Sequence, residues 1–136
     1  MRRVLFVLGA ACGVFSLSAH AANEMLGLEL NTAESADNHC RLTFVTQNKN
    51  PQAIDTIKLD LVTFNPAGIV QRRMVIDMGP VRAEKTTVKT FVVEGDCSQI
   101  GAILINDVTA CSPGEPSACL DGLSLSSRIN GMRLYK

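Results

Sequence analysis

From residue 26 onward, apolar side chains recur at every second position in short runs separated by turn residues. That is the period of half-buried β-strands. Leu26, Leu28 and Leu30 alternate with Gly27 and Glu29, predicting a first strand. Cys40, Leu42, Phe44 and Thr46 form a second, closed by the turn cluster Asn48-Lys49-Asn50-Pro51. Ile57, Leu59, Leu61 and Thr63 alternate with Lys58 and Asp60 in a third. Asn65-Pro66-Ala67-Gly68 fits a type I turn, with Pro at its second position and Gly at its fourth. Val70, Met74, Ile76 and Met78 are expected on one face of a fourth strand, with Arg72 at its exposed start, before Gly79-Pro80 breaks it.

The β-branched segment Thr86 to Glu94 predicts a fifth strand. Ala102 to Val108, almost wholly apolar, reads as a central and most buried sixth, with Ile103 and Ile105 pointing one way and Leu104 the other. Cys111 to Gly122, holding two prolines and two glycines, reads as an irregular loop. Leu123, Leu125, Ser127 and Ile129 give a seventh strand, followed by a short tail to Tyr135. No stretch carries a helical period. The expectation is an all-β fold, an immunoglobulin-like two-sheet sandwich of about seven strands.

The N-terminal segment has a different pattern. Arg2 and Arg3 precede the apolar run Val4 to Leu17, and Ala19 and Ala21 form an A-x-A pair, so residues 1–21 read as a signal peptide cleaved after Ala21. A lipobox-like Gly9-Ala10-Ala11-Cys12 offers lipoprotein anchoring through Cys12 as a minor alternative. Residues 22–136 then form a single domain with no internal repeat or linker and no membrane span. Removing Arg2 and Arg3 from 13 basic residues leaves 11 against 13 acidic, a net charge of −2. That argues against a nucleic-acid partner, which calls for a basic excess.

Four cysteines remain in the mature chain: Cys40, Cys97, Cys111 and Cys119. In an oxidising compartment they read as two disulfides with three possible connectivities. Immunoglobulin-like order makes the second and fifth strands antiparallel neighbours, which brings Cys40, opening one, beside Cys97, just after the other. Cys40–Cys97 and Cys111–Cys119 are therefore the expected pairs.

Several segments resemble small exported proteobacterial proteins of uncharacterised function: Cys40-Arg41-Leu42-Thr43-Phe44-Val45 with Asn48, and Leu61-Val62-Thr63-Phe64-Asn65 with Gly68-Ile69-Val70. So do Gly95-Asp96-Cys97, Ile105-Asn106-Asp107 with Cys111, and Cys119-Leu120-Asp121-Gly122-Leu123. The strand-turn rhythm is also similar to FxLYD-type immunoglobulin-like modules, although the Tyr-Asp of that motif is missing here. The resemblance implies a fold and an exported location, and it carries over no catalytic residue.

Candidate chemistry is sparse. His39 is the one histidine after processing, it adjoins Cys40, and no G-x-S-x-G nucleophile motif is present. Met74 and Met78 suggest copper handling, yet four strand residues set them roughly 13 Å apart. Glu94 and Asp96 flank a turn with no acid–base partner. No catalytic, metal or cofactor-binding residue is assigned, and no cofactor is expected.

The one local charge asymmetry is Arg72, Arg73, Arg82, Lys85 and Lys89 against Asp77 and Glu84. If the fourth and fifth strands pair as a hairpin, these charges share one surface with Val75 and Phe91 as apolar anchors. The loop from Ser112 to Ala118 is the next candidate. The function expected is a non-enzymatic periplasmic protein-interaction or accessory module of an envelope complex, its partner another envelope protein. A periplasmic copper-handling protein is the alternative, and an enzyme the remote one.

Overall fold

A computed structural model describes residues 24–136. The signal segment 1–21 and Cys12 lie outside the described residues. Eight strands follow in order: β1 (Leu26–Ala36), β2 (His39–Asn48), β3 (Thr56–Phe64), β4 (Val70–Asp77), β5 (Lys85–Glu94), β6 (Ala102–Ser112), β7 (Leu123–Ser127) and β8 (Arg133–Tyr135). One short helix, α1 (Pro116–Asp121), lies between β6 and β7. The strands build two four-stranded sheets, β5-β2-β1-β7 and β4-β3-β6-β8. This is the all-β sandwich that the alternation calls for.

The core lies between the inner faces. Leu26, Leu28 and Leu30 of β1 and Leu42 and Phe44 of β2 meet Ile57, Leu59 and Leu61 of β3 and Ile103, Ile105 and Val108 of β6. At about 25 cal/mol per Å² of apolar surface, this common core is the main favourable term in folding. Ile103 and Ile105 are fully buried while Leu104 faces the other way and stays half-exposed, as the pleat requires.

Several expectations change. β6 is central, but β3 is the more deeply buried strand, because its outward Asp60 and Val62 are covered as well as its inward side chains. The short tail expected after the seventh strand holds an eighth strand, pairing in parallel with β6, and Ile129 falls beyond β7. The loop before β7 holds α1, too short to leave a helical period; its end is held by Lys136, whose Nζ donates to the carbonyls of Leu120, Asp121 and Leu123.

β1 continues to Ala36, past the apolar alternation, because a tight hairpin returns it into β2. The turn residues Asp37 and Asn38 have φ of 52° and 57°, the left-handed pair of a two-residue I′ turn that Asn and Asp tolerate. His39 consequently opens β2, one position ahead of the expected start at Cys40. The expected type I turn is closed by Gly68 N donating to Asn65 O at 2.9 Å. Val70 is 59% exposed and off the expected inward face, because the β3–β4 register shifts beside it.

The hairpin of the fourth and fifth strands is absent. β4 and β5 belong to different sheets, and the connection from Met78 to Glu84 crosses the sandwich. Both disulfides have the expected partners: Cys40–Cys97 with Cα atoms 4.8 Å apart, and Cys111–Cys119 with 6.5 Å. Such bonds are characteristic of an oxidising, non-cytoplasmic compartment. Among the described residues no helix is long and apolar enough to cross a membrane.

Candidate interaction surface

β4 and β5 are the edge strands on the same side of the sandwich, and side-chain bonds join them. Arg72 Nη2 meets Glu94 Oε2 at 2.8 Å near one end of the side. Towards the middle, Lys89 Nζ donates to the carbonyls of Asp77 and Gly79 at 3.1 and 2.6 Å. The two strands therefore sit beside each other as the margins of two sheets, without sharing backbone bonds.

This arrangement disperses the expected basic cluster. Arg73 projects onto the outer face of its own sheet, where Nε and Nη2 grip the Asp60 carboxylate at 2.9 and 2.7 Å. Asp60 also accepts from Asn106 Nδ2 at 2.7 Å. These hydrogen bonds, Arg73 first and then Asn106, hold the Asp60 carboxyl below the ordinary carboxylate range despite its burial. Asn106 stands at a register shift where β6 bulges against β3, which aims its amide at Asp60.

Arg82 and Lys85 lie at the far end of β5, roughly 30 Å from Glu94 at 3.3 Å per residue. Arg82 is exposed, and its backbone carbonyl accepts from the buried Asn48 amide. Phe91 turns inward, its ring edge-on to Phe44 with centroids 6.1 Å apart. Val75 is 58% exposed.

The apolar content of this side is larger than the alternation indicates. Ile69, Val70, Val75, Val88 and Val92 are the large apolar side chains that stand exposed among the described residues, each between 58% and 61%. Every one lies on β4, on β5 or in the turn before β4. Val88 and Val92 face outward beside Val45 and Arg41 of β2, with Thr90 between them bonded through its hydroxyl to Thr43 at 2.9 Å. The signal for them lay in the run Val88, Phe91, Val92 and Val93, which is apolar on both faces of the pleat.

A polar cleft of about 350 Å³ lies at the Glu94 end, lined by Asn38, His39, Arg72, Glu94, Gly95 and Gln99. His39 Nδ1 lies 2.8 Å from the Asp37 carbonyl, which sets Nδ1 as the protonated nitrogen. No three His, Cys, Asp or Glu side chains gather as a metal-binding set among the described residues. Met78 is buried in the core and Met74 half-buried against it. The loop from Ser112 to Ala118 is mostly exposed and is tied down by Cys111–Cys119.

No protein-family model matches the chain, and no curated protein matches it. Among solved structures, IrmA from Escherichia coli has a similar fold. The TM-score is 0.56 at 16% identity, over 74% of this chain and 89% of that one.

Proposed function

We propose that this chain is a non-enzymatic accessory module of the bacterial envelope, exported to the periplasm, which docks on another envelope protein through the β4–β5 side. The observation that carries this reading is the gathering of five exposed large apolar side chains on one side of the sandwich. Scattered surface valines are ordinary, whereas here the exposed large apolar side chains are confined to two adjoining edge strands and the turn before β4. Val75 stands on the outer face of one sheet and Val88 and Val92 on that of the other, with charges around them. Around it stand Arg72, Arg82, Lys85 and Glu94, exposed groups that set encounter rate and salt dependence more than affinity.

Two disulfides fit an exported domain. The likeness to small exported proteobacterial proteins and to FxLYD-type modules points to the same location. Phe91 and Arg73 serve the fold in this reading, and the apolar anchors move to Ile69, Val70, Val75, Val88 and Val92.

Capture from envelope extract tests it. The mature protein should retain a partner reproducibly, and Ile69→Asp/Val75→Asp should lose it at least tenfold while keeping the wild-type circular dichroism spectrum. Equal recovery by that variant removes the β4–β5 side as the docking surface.

A further inference from the structure

The four sheet edges of the sandwich are unequal. β8 is three residues long and β7 five. β4 is interrupted by a register shift and carries Arg72 and Arg73. Short strands, bulges and charges are the ordinary devices that prevent an edge from recruiting another strand. β5 is neither short nor bulged, and its exposed charges, Lys85 and Glu94, stand at its two ends. It pairs with β2 at all ten positions from Lys85 to Glu94 without a shift, and it contains no proline. Its central lysine, Lys89, is folded back onto the Asp77 and Gly79 carbonyls and does not guard the outer margin. As the terminal strand of its sheet, β5 leaves one row of backbone N–H and C=O groups without a strand partner.

We propose that the β5 edge pairs with β5 of a second copy of this chain, antiparallel about a two-fold axis at Thr90. The residues of β5 select both occupant and register. A two-fold axis perpendicular to the sheet sets even-numbered outward residues opposite even-numbered ones. Centred on Thr90, Val88 faces Val92 of the other copy and Val92 faces Val88, so the four exposed valines form one cross-strand cluster. Thr86 then faces Glu94, and on the inner side Lys89 faces Phe91 and Thr87 faces Val93. No like charges oppose each other. One step away, an axis at Lys89 sets two lysines face to face, which is unfavourable. An axis at Phe91 sets Val88 against Glu94 and leaves the valines unmatched.

The pairing joins two four-stranded sheets into one of eight strands and satisfies the open backbone row over residues 86–94. It refines the docking surface proposed above: β5 serves self-association, and β4 with Ile69 and Val75 remains for the other envelope protein.

Sedimentation velocity on the purified mature protein, from micromolar to hundreds of micromolar, tests the proposal. A reversible monomer–dimer equilibrium is expected. Val88→Lys/Val92→Lys sets like charges opposite each other at both symmetric pairs and should weaken dimerisation at least tenfold. Val88→Lys/Val92→Glu sets opposite charges there and should restore it. A wild-type protein that stays monomeric throughout overturns the proposal, as does a dimer indifferent to the double lysine variant. A dimer lost with the lysines but not regained with the lysine–glutamate pair overturns the Thr90 register. Each of these results is independent of whether Ile69→Asp/Val75→Asp loses its captured partner, so the two proposals fail separately.

Discussion

Asp60 shows how far a single side chain can depart from what its position in the pattern announces. In the alternation of β3 it occupies an outward polar slot, yet it is 2% exposed. Arg73 from β4 and Asn106 from β6 close over it and satisfy its oxygens, and a buried carboxylate is tolerable only with such partners. The exposed guanidinium and the bulged asparagine lie 13 residues downstream and 46 residues downstream, so only the folded sheet brings them together.

Asp60→Ala leaves the Asn106 amide without its acceptor and opens a void, and it should cost about 1–3 kcal/mol in urea unfolding. The pH dependence has a definite sign. The folded carboxyl titrates below its ordinary value of 3.8, so its stabilisation is complete above that value and is lost as pH falls through the folded pKa. Asp60→Asn should therefore flatten the acid limb of the stability profile below about pH 4. An unchanged acid limb would mean that other carboxylates govern it.

At the scale of elements, the two disulfides act on very different loops. Cys40–Cys97 spans 57 positions and ties the start of β2 to the turn after β5, whereas Cys111–Cys119 spans 8 and pins α1 to the end of β6. In the chain-entropy account, closing the long loop contributes about 4 kcal/mol and the short one about 2.5 kcal/mol. Equilibrium unfolding of Cys40→Ala/Cys97→Ala should show the larger loss of stability, and Cys111→Ala/Cys119→Ala the smaller. The reverse order would show that the α1 region carries more of the cooperative unit than its position suggests. Both pairs were accessible from strand order alone, since β2 and β5 are neighbours in the immunoglobulin-like arrangement and the remaining cysteines must then meet. The extra elements were not accessible. α1 is six residues long and β8 three, too short for either period to register. The extension of β1 to Ala36 follows from the Asp37-Asn38 hairpin and not from burial, so no apolar alternation marks it.

For the whole molecule, the export reading makes its own prediction: protein recovered from the periplasm should have the intact mass of residues 22–136, beginning at Ala22. A mass that includes an acylated Cys12 would assign the chain to the membrane surface instead. The sandwich itself was legible in the sequence, because period-2 burial and turn chemistry are local and each strand reports its own inward face. Residues such as Leu28, Phe44, Leu59 and Ile105 could be placed in the core one strand at a time. Which strands share a sheet, and which margins stay open, is set by long-range pairing that no local pattern encodes. A hairpin between consecutive strands is the simplest connection, yet the segment from Met78 to Glu84 crosses to the opposite sheet. That crossing disperses the basic cluster and places β5 beside β2, where Phe91 packs against Phe44, while Arg73 is held by Asp60 within the β3–β4 pair. It also leaves two open margins side by side, with Val75 exposed on the outer face of one sheet and Val88 and Val92 on the outer face of the other, a placement that neither strand's own pattern determines.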